Sequence, residues 1–504
     1  MNDDKAVFLN MIANVIGFMV TLFISFMLTP YITKNVGIEA YGLVGLANSF
    51  VGYLTILTAA VNSMASRFII IEIHKGLDYK ANIYYTSTLY ANLVFAIMLS
   101  IPALLLICNI EILNISPSLI IDAQLTFALI AMSFIINLIF SRYGIVLYAK
   151  NILWKGSLRN IESNIIRVLL IFLFFYIFKP QIYYVVAATF ISGIYPILFN
   201  YYYSRKLLPN LRVKKCFYSF KALMELVSSG IWNSLTRLSQ VLLDGLDLLL
   251  TNIFINGTMT GNISIAKTIP MLYTSVVAML SDSFYPKFLE YYSQKKSQLL
   301  LAEIKKSISV LSAISGICLS LLIVYAKEFY HLWVPGIDAI LLRNITYCAV
   351  GTVLISGCVY SLYYVFSLTN KIKINSLVLL ATGVLSIVTT FLCLKFTDLG
   401  AYAIVGVSSV YGVMRNLTFT PIYAAKCLDL KWYVFYPTIF KNLMNILILI
   451  CGYSLIKTII PVTSWSLLVC NGLLDIIIGL FLTLFIMYNR EERDAVLKIL
   501  RIKK

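Results

Sequence analysis

Six polar side chains in one apolar stretch, SSGIWNSLTRLSQVLLDGLDLLLTN, are the strongest chemical signal in the chain. Asn233, Arg237, Gln240, Asp244, Asp247 and Thr251 follow one another at intervals of 4, 3, 4, 3 and 4 residues. At about 100° per residue, an unbroken helix gathers all six on one face. An ionisable side chain at bilayer depth costs at least ~2.5–3.5 kcal/mol on insertion scales, so such a stripe must face a partner helix or water. Two readings stay open. Arg237 can pair with Asp244 and Asp247 in an internal ladder that only locks packing. Alternatively, Arg237 binds an anion in a hydrated cavity, and Asp244 and Asp247 are candidates for a coupling proton or sodium ion.

Other apolar stretches carry similar stripes. Lys267, Thr274 and Ser281 stand at heptad spacing, with Lys267 near the outer end, where it either binds substrate or snorkels to the interface. Asn10, Asn14, Gly17, Thr21 and Ser25 share one face of the first stretch. Asn48, Thr55, Asn62 and Ser66 share one face of the second, with Arg67 at its inner boundary. Asn160, Asn164 and Arg167 open the fifth at i, i+4, i+7. Arg142 and Arg415, near inner helix ends, read as snorkelling anchors, and Arg142 also qualifies for an inner mouth. The simplest packing predicts a central hydrophilic cleft between two bundles, with Arg237 and Lys267 inside and Arg67 and Arg142 at its cytoplasmic mouth. Guanidinium and ammonium groups among amides suit a phosphate held by charge-assisted bonds.

The elements that must position these residues are transmembrane helices. Of 504 residues, 60% are hydrophobic and 12% charged, and the mean hydropathy is +0.88. A bilayer core needs about 20 apolar residues per helix. Runs of that kind are predicted at 8–32, 41–66, 84–108, 119–148, 159–178 and 182–204, then at 223–255, 263–286, 307–326, 344–368, 375–396 and 400–424. Two more follow at 437–459 and 465–488. The chain therefore reads as an all-α polytopic membrane protein of about 14 helices. The expected parts are a six-helix bundle over 1–204, a basic cytoplasmic linker over 205–222, a second six-helix bundle over 223–424, and a helix pair with a basic tail over 425–504. An offset of 219 residues brings Asn14 onto Asn233, Thr21 onto Gln240, Ser25 onto Asp244, Asn48 onto Lys267, Thr55 onto Thr274 and Asn62 onto Ser281. Unless the matches are accidental, they imply a parallel repeat, and transporters commonly bind substrate between such halves.

With both termini placed in the cytoplasm, 29 of the 40 Lys and Arg residues fall in inside segments and six in outside ones. That asymmetry accounts for the net charge of +18 without a nucleic-acid partner. The nine cysteines contain no C-x-x-C, and the two histidines have no metal-ligand spacing, so no metal is expected. The N-terminus, MNDDKAVFLN, lacks a basic n-region, and the first helix is expected to be retained. No G-x-x-x-x-G-K-[ST] occurs, and no loop could house a nucleotide-binding or catalytic domain, so the chain is expected to be a transporter without enzymatic activity or bound cofactor.

Several segments are similar to the polysaccharide-unit flippases (Wzx type) of the multidrug/oligosaccharidyl-lipid/polysaccharide exporter superfamily. They are FMLTPYITKNVGIEAYGLVGLANSFVGYL, SGIWNSLTRLSQVLLDGLDLLL, FYPKFLEYY, EFYHLWVPG and LGAYAIVGVSSVYGV. The resemblance implies two six-helix bundles, an added helix pair and a cavity that alternates its opening. It implies a bacterial inner-membrane protein of polysaccharide (O-antigen or lipopolysaccharide) biosynthesis, which turns an undecaprenyl-diphosphate-linked oligosaccharide from the cytoplasmic to the periplasmic leaflet. Membrane lipids, and a polysaccharide polymerase and glycosyltransferases, are the partners it implies. Rival readings are a drug or cation antiporter of the same superfamily, whose acid would be Asp244 or Asp247, a lipid II flippase, and a scaffold that transports nothing.

Overall fold

The computed structural model describes residues 3–487, and all regular structure among them is helical. Two compact units divide the chain. The first contains residues up to Val241 together with Gly245–Ser264, and the second contains Leu242–Asp244 and the residues from Ile265 onward.

In the first unit, α1 (Asp3–Val36), α2 (Ile38–His74), α3 (Asp78–Cys108), α4 (Ile120–Phe140), α5 (Ile145–Ala149), α6 (Leu153–Ile177), α7 (Ile182–Leu207), α8 (Phe220–Gln240) and α9 (Asp247–Phe254) lead into α10 (Gly257–Asp282), within which the division falls. Helix α2 is central and packs on α3, α4 and α8. Leu43, Leu46, Phe127 and Ile130 fill one core, and Leu28, Ile32, Ile171 and Ile182 fill another where α1, α6 and α7 meet. Helix α8 packs with this unit. Its backbone lies directly on α2. A Cβ added at Gly230 would overlap the Ala60 carbonyl, and the Ser234 hydroxyl donates to the Ile56 carbonyl at 2.8 Å. Only a glycine permits an approach that close.

In the second unit, α10 continues into α11 (Tyr285–Ser293), α12 (Ser297–Trp333), α13 (Ala339–Leu354), α14 (Ser356–Leu368), α15 (Ile372–Phe396), α16 (Ala401–Leu417), α17 (Phe419–Cys427), α18 (Tyr436–Ile459) and α19 (Trp465–Met487). Helix α12 is the hub, in contact with α11, α13, α14, α18 and α19. Phe288, Ile304, Ile308, Leu362, Phe366 and Ile439 form its inner core.

Eleven segments among the described residues are long and apolar enough to cross a bilayer, and shorter apolar helices accompany them. Large apolar side chains such as Tyr176, Phe396, Ile459 and Ile477 point outward, as lipid-facing residues do. The protein is a multi-pass membrane protein, and every expected span coincides with a helix or a broken helix. The breaks were not foreseen. The span at 119–148 runs through a 3₁₀ turn at Ser141–Gly144 into α5, and those at 344–368 and 400–424 are interrupted at Ile355 and Thr418. The span at 223–255 is divided by a π-helical turn at Val241–Gly245.

Candidate anion-binding residues

Helix α8 starts at Ser219, whose hydroxyl accepts the Ala222 amide at 3.3 Å. It runs regularly to Gln240, where the π turn begins. The wider turn adds a residue to the helical repeat, so the six-residue stripe does not stay on one face. Arg237, Gln240 and Asp244 are exposed, whereas Asp247 and Thr251 are buried. Within the first unit, the Arg237 guanidinium donates to the Gln240 side chain at 3.4 Å. One turn earlier, the Asn233 amide donates to the Ser63 hydroxyl of α2 at 3.1 Å. Asp247 is 4% exposed, and the adjacent Gly245 carbonyl accepts the Tyr53 hydroxyl at 2.9 Å. The upper part of the stripe is thus open for a ligand and the lower part is built into the α2 contact.

The other candidates of the first unit separate in the same way. Asn48 and Arg67 of α2 are exposed. Asn62 is engaged in a reciprocal amide pair with Asn92, 3.0 Å in each direction, and Asn92 also donates to the Leu138 carbonyl at 2.9 Å. Asn14 accepts the Ser157 hydroxyl, Asn10 donates to Asn151 at 2.7 Å, and Asn164 donates to Thr21 at 3.1 Å. The polar faces of the first and fifth spans therefore close on each other and join α1 to α6. Arg142 donates to the Tyr143 hydroxyl at 3.0 Å and lies 5.5 Å from the Tyr85 ring, with its Nε and one terminal nitrogen lacking an acceptor. Arg167 is half-buried on α6 and its Nε likewise lacks an acceptor. In both guanidiniums the nitrogens without an acceptor are buried.

In the second unit, the Lys267 ammonium donates to the Asp244 carbonyl at 3.3 Å. Ser281 is buried against Ser361, and Tyr364 is bonded to Asp282. Arg415 is not a snorkelling anchor. It is 8% exposed, donating to Asn375 at 2.6 Å and to Asn416 at 3.3 Å. Amides and the Tyr363 ring disperse its charge where no bulk water could.

An acid in the middle of a span was missed. Asp475 lies in the middle of α19, fully buried, with both oxygens lacking a hydrogen-bond partner. A lone carboxyl inside LLVCNGLLDIIIGLFLTLF was a readable signal, because an acid at that depth is costly unless it has a task.

A family model described as polysaccharide biosynthesis protein matches residues 7–292. The chain is 25% identical over 498 residues to the uncharacterized membrane protein EpsK of Bacillus subtilis (strain 168), covering 98% of both sequences. A solved structure of the lipid II flippase MurJ, in an inward closed conformation, is similar with a TM-score of 0.70 and 14% identity, covering 94% of this chain and 98% of that one. An inward-facing multidrug resistance MATE family transporter of the MOP superfamily gives 0.68 at 13% identity, covering 83% of this chain and 99% of that one. At such identities the likeness concerns the fold.

Proposed function

Because the chain belongs to the polysaccharide biosynthesis protein family, we propose that it is a Wzx-type flippase. It turns an undecaprenyl-diphosphate-linked oligosaccharide repeat unit from the cytoplasmic to the periplasmic leaflet of a bacterial inner membrane by alternating access. Both termini are cytoplasmic in this reading. A diphosphate and its sugars cannot enter hydrocarbon unaided, since unpaired buried charge and unsatisfied hydroxyls each cost several kcal/mol or more. What carries the proposal is the exposed face of α8, where Arg237 stands among Asn233, Gln240 and the Ser63 hydroxyl. A guanidinium grips phosphate bidentately, and amides and hydroxyls replace water around sugars. Arg67 and Arg142 draw the headgroup in from the cytoplasmic side.

The test is flipping of a fluorescent polyprenyl-diphosphate oligosaccharide in proteoliposomes of the purified full chain. Transfer that is lost when the glycan-diphosphate is replaced by an ordinary phospholipid headgroup supports the reading. Equal rates for both lipids, or none above protein-free vesicles, contradict it. A second reading, a cation antiporter of the same fold, is favoured by the exposure of Asp244. It predicts exchange of an organic cation for protons or sodium ions in the same vesicles, abolished by Asp244→Asn.

A further inference from the structure

Helix α19 is inverted relative to a water-soluble helix. Its buried positions are Asn471, Asp475, Gly479 and Thr483, four residues apart, while Val469, Leu473, Ile477, Phe481 and Phe485 are exposed. The apolar face meets lipid, and the polar stripe is sealed against α12 and α18. The stripe spans about 18 Å along the axis at 1.5 Å per residue.

Within it, most polar groups have partners. Asn471 donates to the Ile460 carbonyl at 2.8 Å, and Thr483 donates to Asn445 at 3.2 Å. Several groups without partners surround one residue. Both oxygens of Asp475 lack a partner, as do the hydroxyls of Tyr325 on α12 and Tyr453 on α18. Tyr325 faces Asp475 and Asn471. The Tyr453 hydroxyl sits against Gly479, one turn beyond Asp475, where a Cβ would overlap it. The other titratable groups here are Cys318 and Glu328 of α12 and Lys457 of α18, whose ammonium lies 5.7 Å from the Tyr325 ring. Lys457 is engaged with Glu328 at 2.6 Å and with the Val324 carbonyl at 2.7 Å, so it does not neutralise Asp475. An isolated carboxylate cannot remain charged in such a place, because burial without a counter-charge costs far more than taking up a proton.

We propose that Asp475, with Tyr325 and Tyr453, forms a proton-binding site buried among α12, α18 and α19, separate from the anion-binding face of α8. The ligand is one proton, added to one carboxylate oxygen to give a neutral acid. Two phenols then serve as hydrogen-bond partners in either protonation state, since each can donate or accept. An apolar cavity of about 260 Å³, lined by Ile269, Leu321, Tyr325, Phe329, Leu468 and Gly472, adjoins Tyr325 and gives the side chains room to rearrange when the proton leaves.

The test is infrared difference spectroscopy of the full chain in lipid nanodiscs, between acidic and alkaline buffer. Expected is the loss, at alkaline pH, of a protonated-carboxyl stretching band that is missing from Asp475→Asn and retained in Asp122→Asn. The same band in Asp475→Asn overturns the site. A wild-type band that follows sodium concentration at fixed pH also overturns it, since the ligand would be a metal cation. If Asp475→Asn does not fold, Tyr325→Phe decides: a shifted band supports the site, and an unmoved band contradicts it. No outcome depends on transport, so failure here is distinguishable from failure of the flippase reading.

Discussion

Helix α8 of the first unit and helix α19 of the second both interrupt apolar sequence with amides and ionisable groups, and they dispose of them in opposite ways. Arg237 and Gln240 of α8 are exposed, with a single 3.4 Å bond between them. Asn471, Asp475 and Thr483 of α19 are shut away from any solvent. An exposed polar face can exchange partners with a ligand as large as a lipid headgroup. A sealed one can exchange nothing larger than a proton or a small ion. Polarity in a transmembrane helix marks an expensive residue, and exposure decides what kind of ligand could repay it.

The largest expected effect that separates these regions is at Arg237. Arg237→Ala should lower glycan-lipid flipping by roughly 30-fold or more at unchanged protein abundance, as for a lost charge-assisted contact of about 2–5 kcal/mol. Flipping at the wild-type rate would put α8 in the same packing class as α19. Next is Gly479→Val, which drives a side chain into the Tyr453 hydroxyl. Overpacking of this kind costs about 1–3 kcal/mol, and the thermal midpoint of the purified protein should fall accordingly. A valine at an exposed α19 position, Leu473→Val, should leave the midpoint almost unmoved.

A third change tests whether polar residues that are bonded to each other behave as structure. Asn92→Leu leaves the Asn62 side-chain oxygen without its donor and should cost about 1–3 kcal/mol, whereas Asn62→Leu with Asn92→Leu should recover part of that loss. Additive losses in that cycle would mean that the amides act separately. The smallest effect is Thr483→Val, which removes the bond to Asn445 and should cost about 0.5–1.5 kcal/mol with no change in flipping.

The helices themselves were legible because hydrocarbon imposes a length and a composition, and each expected span meets a helix. Their interruptions were not, since the π turn at Val241–Gly245 leaves no mark on the residue pattern around Asp244. Treating 223–255 as one regular helix placed Asp247 on the same face as Arg237, whereas the structure buries Asp247 and exposes Arg237. Periodicity also could not distinguish a stripe that faces a ligand from one that faces another stripe. Asn14 and Asn164 had the spacing of cavity residues, and they are spent on the α1–α6 contact through Ser157 and Thr21. Asp475 escaped for the converse reason. Its polar companions come from other helices, Tyr453 from the preceding α18 and Tyr325 from α12, far back in the sequence.

The contrast between the two helices is tested most directly by binding of a polyprenyl diphosphate to the purified full chain, measured by native mass spectrometry for wild type, Arg237→Ala and Asp475→Asn. The expected result is binding to wild type and to Asp475→Asn, with loss in Arg237→Ala. Undiminished binding to Arg237→Ala, or loss confined to Asp475→Asn, would contradict the assignment of the anion to the exposed face of α8.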